Sequence, residues 1–392
     1  MNWQYRYTVL SLCTLAFFAT MVARLVISPV VPDLADAFAV TNTAIGMALT
    51  GMWLTYALAQ FPSGVLGDRF GERRVILAAV GLTALASALL AIAPSFPLFV
   101  VFTVCLGAGA GLHFSVATTL LTKSFRNTGT AIGLHNSGAP LAGLLAPVAA
   151  AYVGAQFGWR PAIALGVLVA LPVFAAFAWH VEPTEPERPE QPIAERFRLD
   201  PMLELLGRRS IRFTVAMSVL GAFAWQSTAS FLPTFLIDYH GYSQTFAGVV
   251  FSAYSIVHGI TQPLLGRLSD QFGRDVVIAG CMALGVGGYA LFVSAETIVA
   301  VGAAVALVGT AMSWSAAMLP RFMDHLSDEE RGAGFGLVRT TYMVLGSLGS
   351  VVTGAVADVW GWAAAFVLLS ALLAVVLAAL VVVRARRAMP SR

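Results

Sequence analysis

Charge is what this chain has least of. Of its 392 residues only 11% are charged and 58% are hydrophobic, with a mean hydropathy of +0.81, whereas a soluble globular protein carries about 25% charged residues. Water is therefore excluded as the main solvent, and a lipid bilayer takes its place. The 23 basic residues include one lysine, Lys123, a bias that reads as genome composition rather than chemistry. The three cysteines, Cys13, Cys105 and Cys281, fall in apolar runs without metal-ligand spacing, which argues against a disulfide or zinc framework. Also missing are a phosphate-cradling Gly-Lys-Ser/Thr loop, a metal-spaced cluster and an elbow around a nucleophilic serine. Gly107-Ala-Gly109-Ala-Gly111 lies in an apolar run with no βαβ unit around it. These absences point away from an enzyme, a cofactor, a metal and a nucleic-acid partner. The first apolar run is too long for a signal-peptide core and lacks a convincing cleavage site, so it reads as a mature helix.

What is present is a succession of runs long enough to cross a bilayer, each about 20 residues as a spanning helix requires. Twelve can be drawn, at roughly 8–31, 43–63, 75–93, 97–120, 128–152, 160–180, 212–236, 244–264, 276–294, 297–319, 332–354 and 362–383. The expected class is an all-α membrane protein in two six-helix halves, 1–180 and 212–392. Between them, 181–211 is rich in Pro, Glu and Arg and reads as a solvated cytoplasmic linker, with a short surface helix around 200–206. With the N-terminus inside, the inner loops and both tails hold 20 of the 23 basic residues. The outer loops hold only Arg160, and Arg24 and Arg339 lie within runs. Positive charge accumulates on the cytoplasmic side, so both termini are expected there, in a plasma-membrane protein surrounded by lipid.

The chain also repeats itself. Gly64-Val-Leu-Gly-Asp68-Arg69-Phe-Gly71-Glu72-Arg73-Arg74 returns as Gly266-Arg-Leu-Ser-Asp270-Gln-Phe-Gly273-Arg274-Asp275, with Asp68, Phe70 and Gly71 recurring at an offset of 202. Gly46 and Gln60 recur at the same offset as Gly248 and Gln262, and Gly133 and Gly158 at 203 as Gly336 and Gly361. Constant offsets over several runs indicate a duplication into parallel halves. The doubled loop resembles the one between the second and third helices of the major facilitator superfamily of transporters. That resemblance, which covers nearly the whole chain outside the linker, implies a twelve-helix carrier. Its two halves would rock about a central site and expose it alternately to each side. It also implies a gating role for Gly64, Asp68, Arg69, Gly71 and Arg73, and more weakly for Gly266, Asp270, Gly273 and Arg274. Glu72 stands where the family usually has a basic residue, and Gln271 and Asp275 weaken the second copy. The fourth run has no arginine ahead of its glycines, unlike the proton-coupled drug exporters of that superfamily. The glycines of the fifth run, Gly129 to Gly143, fit close helix packing.

Two charges inside the runs speak to cargo. Burying an unpaired arginine costs at least about 2.5–3.5 kcal/mol, yet Arg24 and Arg339 lie in runs that contain no Asp or Glu. A missing anion is then expected to be the cargo, because arginine donates two parallel hydrogen bonds to a carboxylate or phosphate. Snorkelling to the interface is the competing reading. Tyr56 and Gln60 on the second run share a helical stripe with Met52. Tyr254, His258 and Gln262 repeat that stripe at 202, Gln226 corresponds to Arg24 beside Trp225, and Asn136 corresponds to Arg339. The expected lining of a central site is thus Arg24, Tyr56, Asn136, Trp225, Gln226, His258, Gln262 and Arg339. His113, His135 and His258 are the titratable groups within the runs nearest neutrality, candidates for a co-transported proton, although plain hydrogen bonding accounts for them as well. The favoured reading is a carrier of small organic anions such as carboxylates, a monomer, working as symporter or antiporter. The alternative is an exporter of amphipathic drugs with a pocket built from Trp225, Trp314, Phe223 and Met318. A receptor that keeps this fold without net transport is a third.

Overall fold

The computed structural model describes residues 3–190, 207–326 and 331–388, and the regular structure among them is helical throughout. The expected surface helix at 200–206, and much of the linker, lie outside the described residues. Among the described residues nine helices are long and apolar enough to cross a membrane, or ten when the second, bent by 48° around Pro62, is counted. Two further spans complete the twelve-helix architecture. Gln244–Phe272 carries His258 and Gln262, polar residues that dilute its hydropathy. The element Gly336–Ala385 is two spans end to end, parted where Gly361 leaves helical geometry at φ 85.

The duplication is physical as well as textual. Thr41 caps the second helix by accepting a hydrogen bond from the Ala44 amide, and Ser243, 202 residues on, caps the eighth by accepting from Phe246. A side-chain oxygen there satisfies one of the amides left free at a helix start. Both second-to-third and eighth-to-ninth turns reverse at a glycine with positive φ, Gly71 at 85 and Gly273 at 91, a conformation a β-carbon disfavours. Gly158 (φ 86) and Gly361 (φ 85) do the same after the fifth and eleventh helices.

The two six-helix bundles meet where the second helix runs along the eleventh and the eighth along the fifth. They are pressed together on the side away from the chain termini. A β-carbon on Gly46 would lie 2.6 Å from the Ser350 carbonyl oxygen, and one on Gly248 would lie 2.3 Å from the Ala151 methyl. Across the seam Ser28 donates to the Ser230 carbonyl and Thr50 to the Ser347 carbonyl (both 2.9 Å), while Ser230 and Ser350 share a bond of 2.7 Å within the second bundle. At the rim, the Asp358 carboxylate accepts from the amides of Asn42 and Thr43 and from both their side chains. An anion is well placed at a helix N-terminus. Gln244, at the start of the eighth helix, donates to Asp33 (2.6 Å) on Val31–Phe38, which continues the first. Toward the termini the bundles part: β-carbons on Gly64, Gly133, Gly266 and Gly336 would have nothing within 4 Å.

Candidate functional site

Between the bundles lies a cavity of about 360 Å³. Its wall takes residues from the first, second, fourth and fifth helices and from their counterparts, the seventh, eighth, tenth and eleventh. All eight residues expected at a central site lie on that wall. Helical periodicity accounts for part of this: residues four apart share a face, as His258 and Gln262 do on the eighth helix. Gln60 and Met52, from the stripe of Tyr56, do not reach the cavity. Gln60 is buried with its amide 3.7 Å from the Met343 sulfur, and Met52 packs beneath Gly107.

Arg24 is buried at 2% exposure, so its side chain does not snorkel. Its Nε donates to the Thr20 carbonyl (3.0 Å) and Nη2 contacts the Met21 sulfur (2.8 Å). The guanidinium sits 4.0 Å from the centre of the Tyr56 ring and 5.2 Å from that of Trp53. Arg339 is half-buried, 4.8 Å from the centre of Phe114. Cation–ring attraction of this kind is worth ~0.5–2 kcal/mol and offsets part of the burial cost without cancelling the charge. Among the described residues, no carboxylate pairs with either arginine. The Gln226 amide donates to the Met343 carbonyl (3.3 Å), leaving its oxygen without a partner.

Several lining residues were not anticipated. Trp53, Phe17, Phe114, Phe251 and Tyr342 make much of the wall aromatic, and Trp53 meets Trp225 edge to face across the bundles at 5.3 Å. A signal was available for two of them: Trp53 and Tyr342 stand three residues from Tyr56 and Arg339, on the same helical face. Of the four residues named for a drug pocket, Trp225 and Trp314 are on the wall, but Phe223 and Met318 are not. His113 and His135 also lie off the wall. Their rings, 5.5 Å apart, pack behind Phe17, which separates them from the cavity.

The doubled loops lie on the terminal side. In the first, the Arg73 guanidinium donates to the carbonyls of Val181 and Ala178 (both 2.6 Å), and its amide donates to the Thr184 hydroxyl (3.0 Å). The Arg188 amide donates to the Asp68 carbonyl (2.9 Å), and Arg69 lies over Phe70. Gly71 abuts Thr184 so closely that a β-carbon would come within 2.4 Å of its carbonyl oxygen. The start of the linker is thus a strap held on the loop rather than freely solvated chain. Glu72, unusual for the family, is buried against Lys123, which also reaches Glu187 at 2.7 Å. The lone lysine therefore has a structural task. In the second loop Arg274 pairs with Asp270 and, at 3.5 Å, with Asp324.

The sequence matches the family model of the Major Facilitator Superfamily over residues 13–249 and 214–392. A hexuronate transporter of Bacillus subtilis is 23% identical over 390 residues, spanning 92% of this chain and 90% of the relative. Multidrug resistance protein Stp of Mycobacterium tuberculosis is 22% identical, spanning 88% and 75%. Among solved structures, a bacterial homologue of the human lysosomal transporter Spinster, inward-facing and occupied, superposes with a TM-score of 0.81 at 17% identity, covering 97% of each chain. A doubled twelve-helix bundle enclosing a central cavity, with this match along its length, is an integral membrane transporter and not an enzyme: the chain belongs to the Major Facilitator Superfamily.

Proposed function

We propose that the protein is a secondary carrier that moves a small organic anion, a carboxylate above all, by alternating access. One observation carries the reading. Two arginines share one cavity wall, and no carboxylate among the described residues neutralises them. The hexuronate relative supports it, since a hexuronate is a sugar carboxylate. Arg24 and Arg339 hold the anion by charge-assisted hydrogen bonds, with Tyr56, Asn136, Trp225, Gln226, His258 and Gln262 shaping the space around it. The distribution of basic residues puts both termini in the cytoplasm, so the splayed side opens inward and the closed side faces out. The protein works as a monomer in the plasma membrane. The loops at Gly64–Arg73 and Gly266–Arg274 close the inner side when the outer side opens.

The test is flux. In proteoliposomes loaded in turn for counterflow of benzoate, cyclohexanecarboxylate and glucuronate, Arg339→Ala is expected to abolish the exchange of whichever acid the parent protein carries while the protein stays folded and inserted. Unchanged flux would end the anion reading. A second reading, efflux of amphipathic drugs, draws on Trp225 and Trp314 in the wall and on the multidrug relative. It predicts export of a cationic dye that Arg339→Ala leaves intact or improves.

A further inference from the structure

The way the two arginines are presented narrows the cargo further. Each guanidinium lies over an aromatic ring that also belongs to the wall, Arg24 over Tyr56 and Arg339 over Phe114. A carboxylate that takes two parallel hydrogen bonds from a guanidinium lies in the guanidinium plane. Held there, it lies beside the Tyr56 or Phe114 ring, whose centres are 4.0 and 4.8 Å from the two guanidinium carbons. In an aromatic acid the carboxylate is conjugated with its ring, so the ring continues in the same plane and meets the aromatic wall by stacking or edge contact, the arrangements such rings prefer. Trp225, Trp314 and Tyr342 extend that wall beyond the two cation–ring pairs, with Trp314 and Tyr342 edge to face at 6.2 Å.

A sugar acid fits less well. Its several hydroxyls each need an acceptor once buried, because an unsatisfied polar group costs about 1–3 kcal/mol. Among the described residues the wall has no carboxylate to receive them. Among its side chains, the polar atoms buried without a partner are the Gln226 amide oxygen, the Tyr254 hydroxyl and the indole N–H groups of Trp53 and Trp314. Of these four groups the first two can accept, which suits one or two ring hydroxyls better than a polyol. At about 360 Å³ the cavity stands at the small end of ligand sites, room for a single ring system rather than a large drug.

We infer that the cargo is an aromatic monocarboxylate with a single ring system, its carboxylate on the arginines and its ring along the tyrosine, phenylalanine and tryptophan wall. The inference rests on the anion reading above and goes beyond it. The experiment compares three probes of equal charge, benzoate, cyclohexanecarboxylate and glucuronate, by calorimetric binding to the purified protein and by counterflow. Benzoate is expected to bind at least tenfold more tightly than glucuronate and several-fold more tightly than cyclohexanecarboxylate. Trp225→Leu should erase the preference for benzoate over cyclohexanecarboxylate while binding still requires charge, with benzamide failing to compete. If Trp225→Leu does not insert, Phe114→Leu serves the same purpose. Glucuronate binding as tightly as benzoate would overturn the inference and leave the anion reading standing, as would equal binding of benzoate and cyclohexanecarboxylate. Benzamide binding as well as benzoate, or no binding by any of the three acids, would overturn both.

Discussion

The two copies of the loop between paired helices began as one sequence and now solve one problem in opposite ways. In the first half the buried partner is the acid: Glu72 is 3% exposed and its lysine, Lys123, is 37% exposed. In the second half the buried partner is the base: Arg321 is 6% exposed and its acid, Asp275, is 32% exposed, at 2.6 Å. The first loop lies under the strap of residues 181–188, and the second has no such cover among the described residues. What duplication conserves is the need for an ion pair beside the turn, not its polarity.

The comparison can be broken in order of expected effect. Gly107 and Gly309, 202 apart, hold the fourth helix to the second and the tenth to the eighth. A β-carbon on Gly107 would stand 2.0 Å from the Met52 carbonyl oxygen, whereas on Gly309 the nearest atom is a side-chain carbon of Val257 at 2.8 Å. Overpacking costs about 1–3 kcal/mol where side chains can shift, and rigid backbone shifts less readily. Gly107→Ala should therefore abolish most inserted protein on size-exclusion chromatography, while Gly309→Ala lowers melting temperature and keeps the fold. Equal loss in both would mean the halves pack alike.

Next come the glycines between the bundles. Gly46→Leu and Gly248→Leu should each force the closed side apart. Labelling of a cysteine placed beyond Trp53, on the far side from the termini, should rise about tenfold, the equivalent of 1.4 kcal/mol. Unaltered labelling would show that the closure does not depend on this approach. Smallest are the ion pairs. Removing the more exposed partner strands a buried charge, which costs more than removing the buried one. Lys123→Ala should thus lower the melting temperature more than Glu72→Gln, and Asp275→Ala more than Arg321→Gln. A reversed order in either half would refute the opposite polarity described here.

Much of this was legible from residues alone. The turns at Gly71 and Gly273 and the pairs Arg24–Gln226, Tyr56–His258 and Asn136–Arg339 follow from constant offsets, because a duplicated fold keeps equivalent positions at equivalent depths. Helical periodicity then placed them on one face. The rest was hidden for physical reasons. Trp53 corresponds to Ser255, so the aromatic wall breaks the repeat that revealed the other residues. The strap at Val181, Thr184 and Arg188 has the composition of a solvated linker, and backbone carbonyls that accept from Arg73 leave no mark in side-chain identity. His113 and His135 drew attention as titratable groups, but a phenylalanine ring between them and the cavity is a matter of packing, which no spacing discloses.

The seam on the closed side has a consequence of its own. It is made mostly of serine, threonine and glycine: Ser28 on Ser230 and Thr50 on Ser347, with Gly46 and Gly248 drawing the backbones near. Neutral hydrogen bonds of this sort are worth about 0.5–1.5 kcal/mol each, and water can take them over as the surfaces separate. Such a zip closes firmly when every tooth meets and parts tooth by tooth, its charged group, the exposed Asp358 carboxylate, standing at the rim where water replaces the donors of Asn42 and Thr43, which suits a doorway that must open and shut once in every cycle.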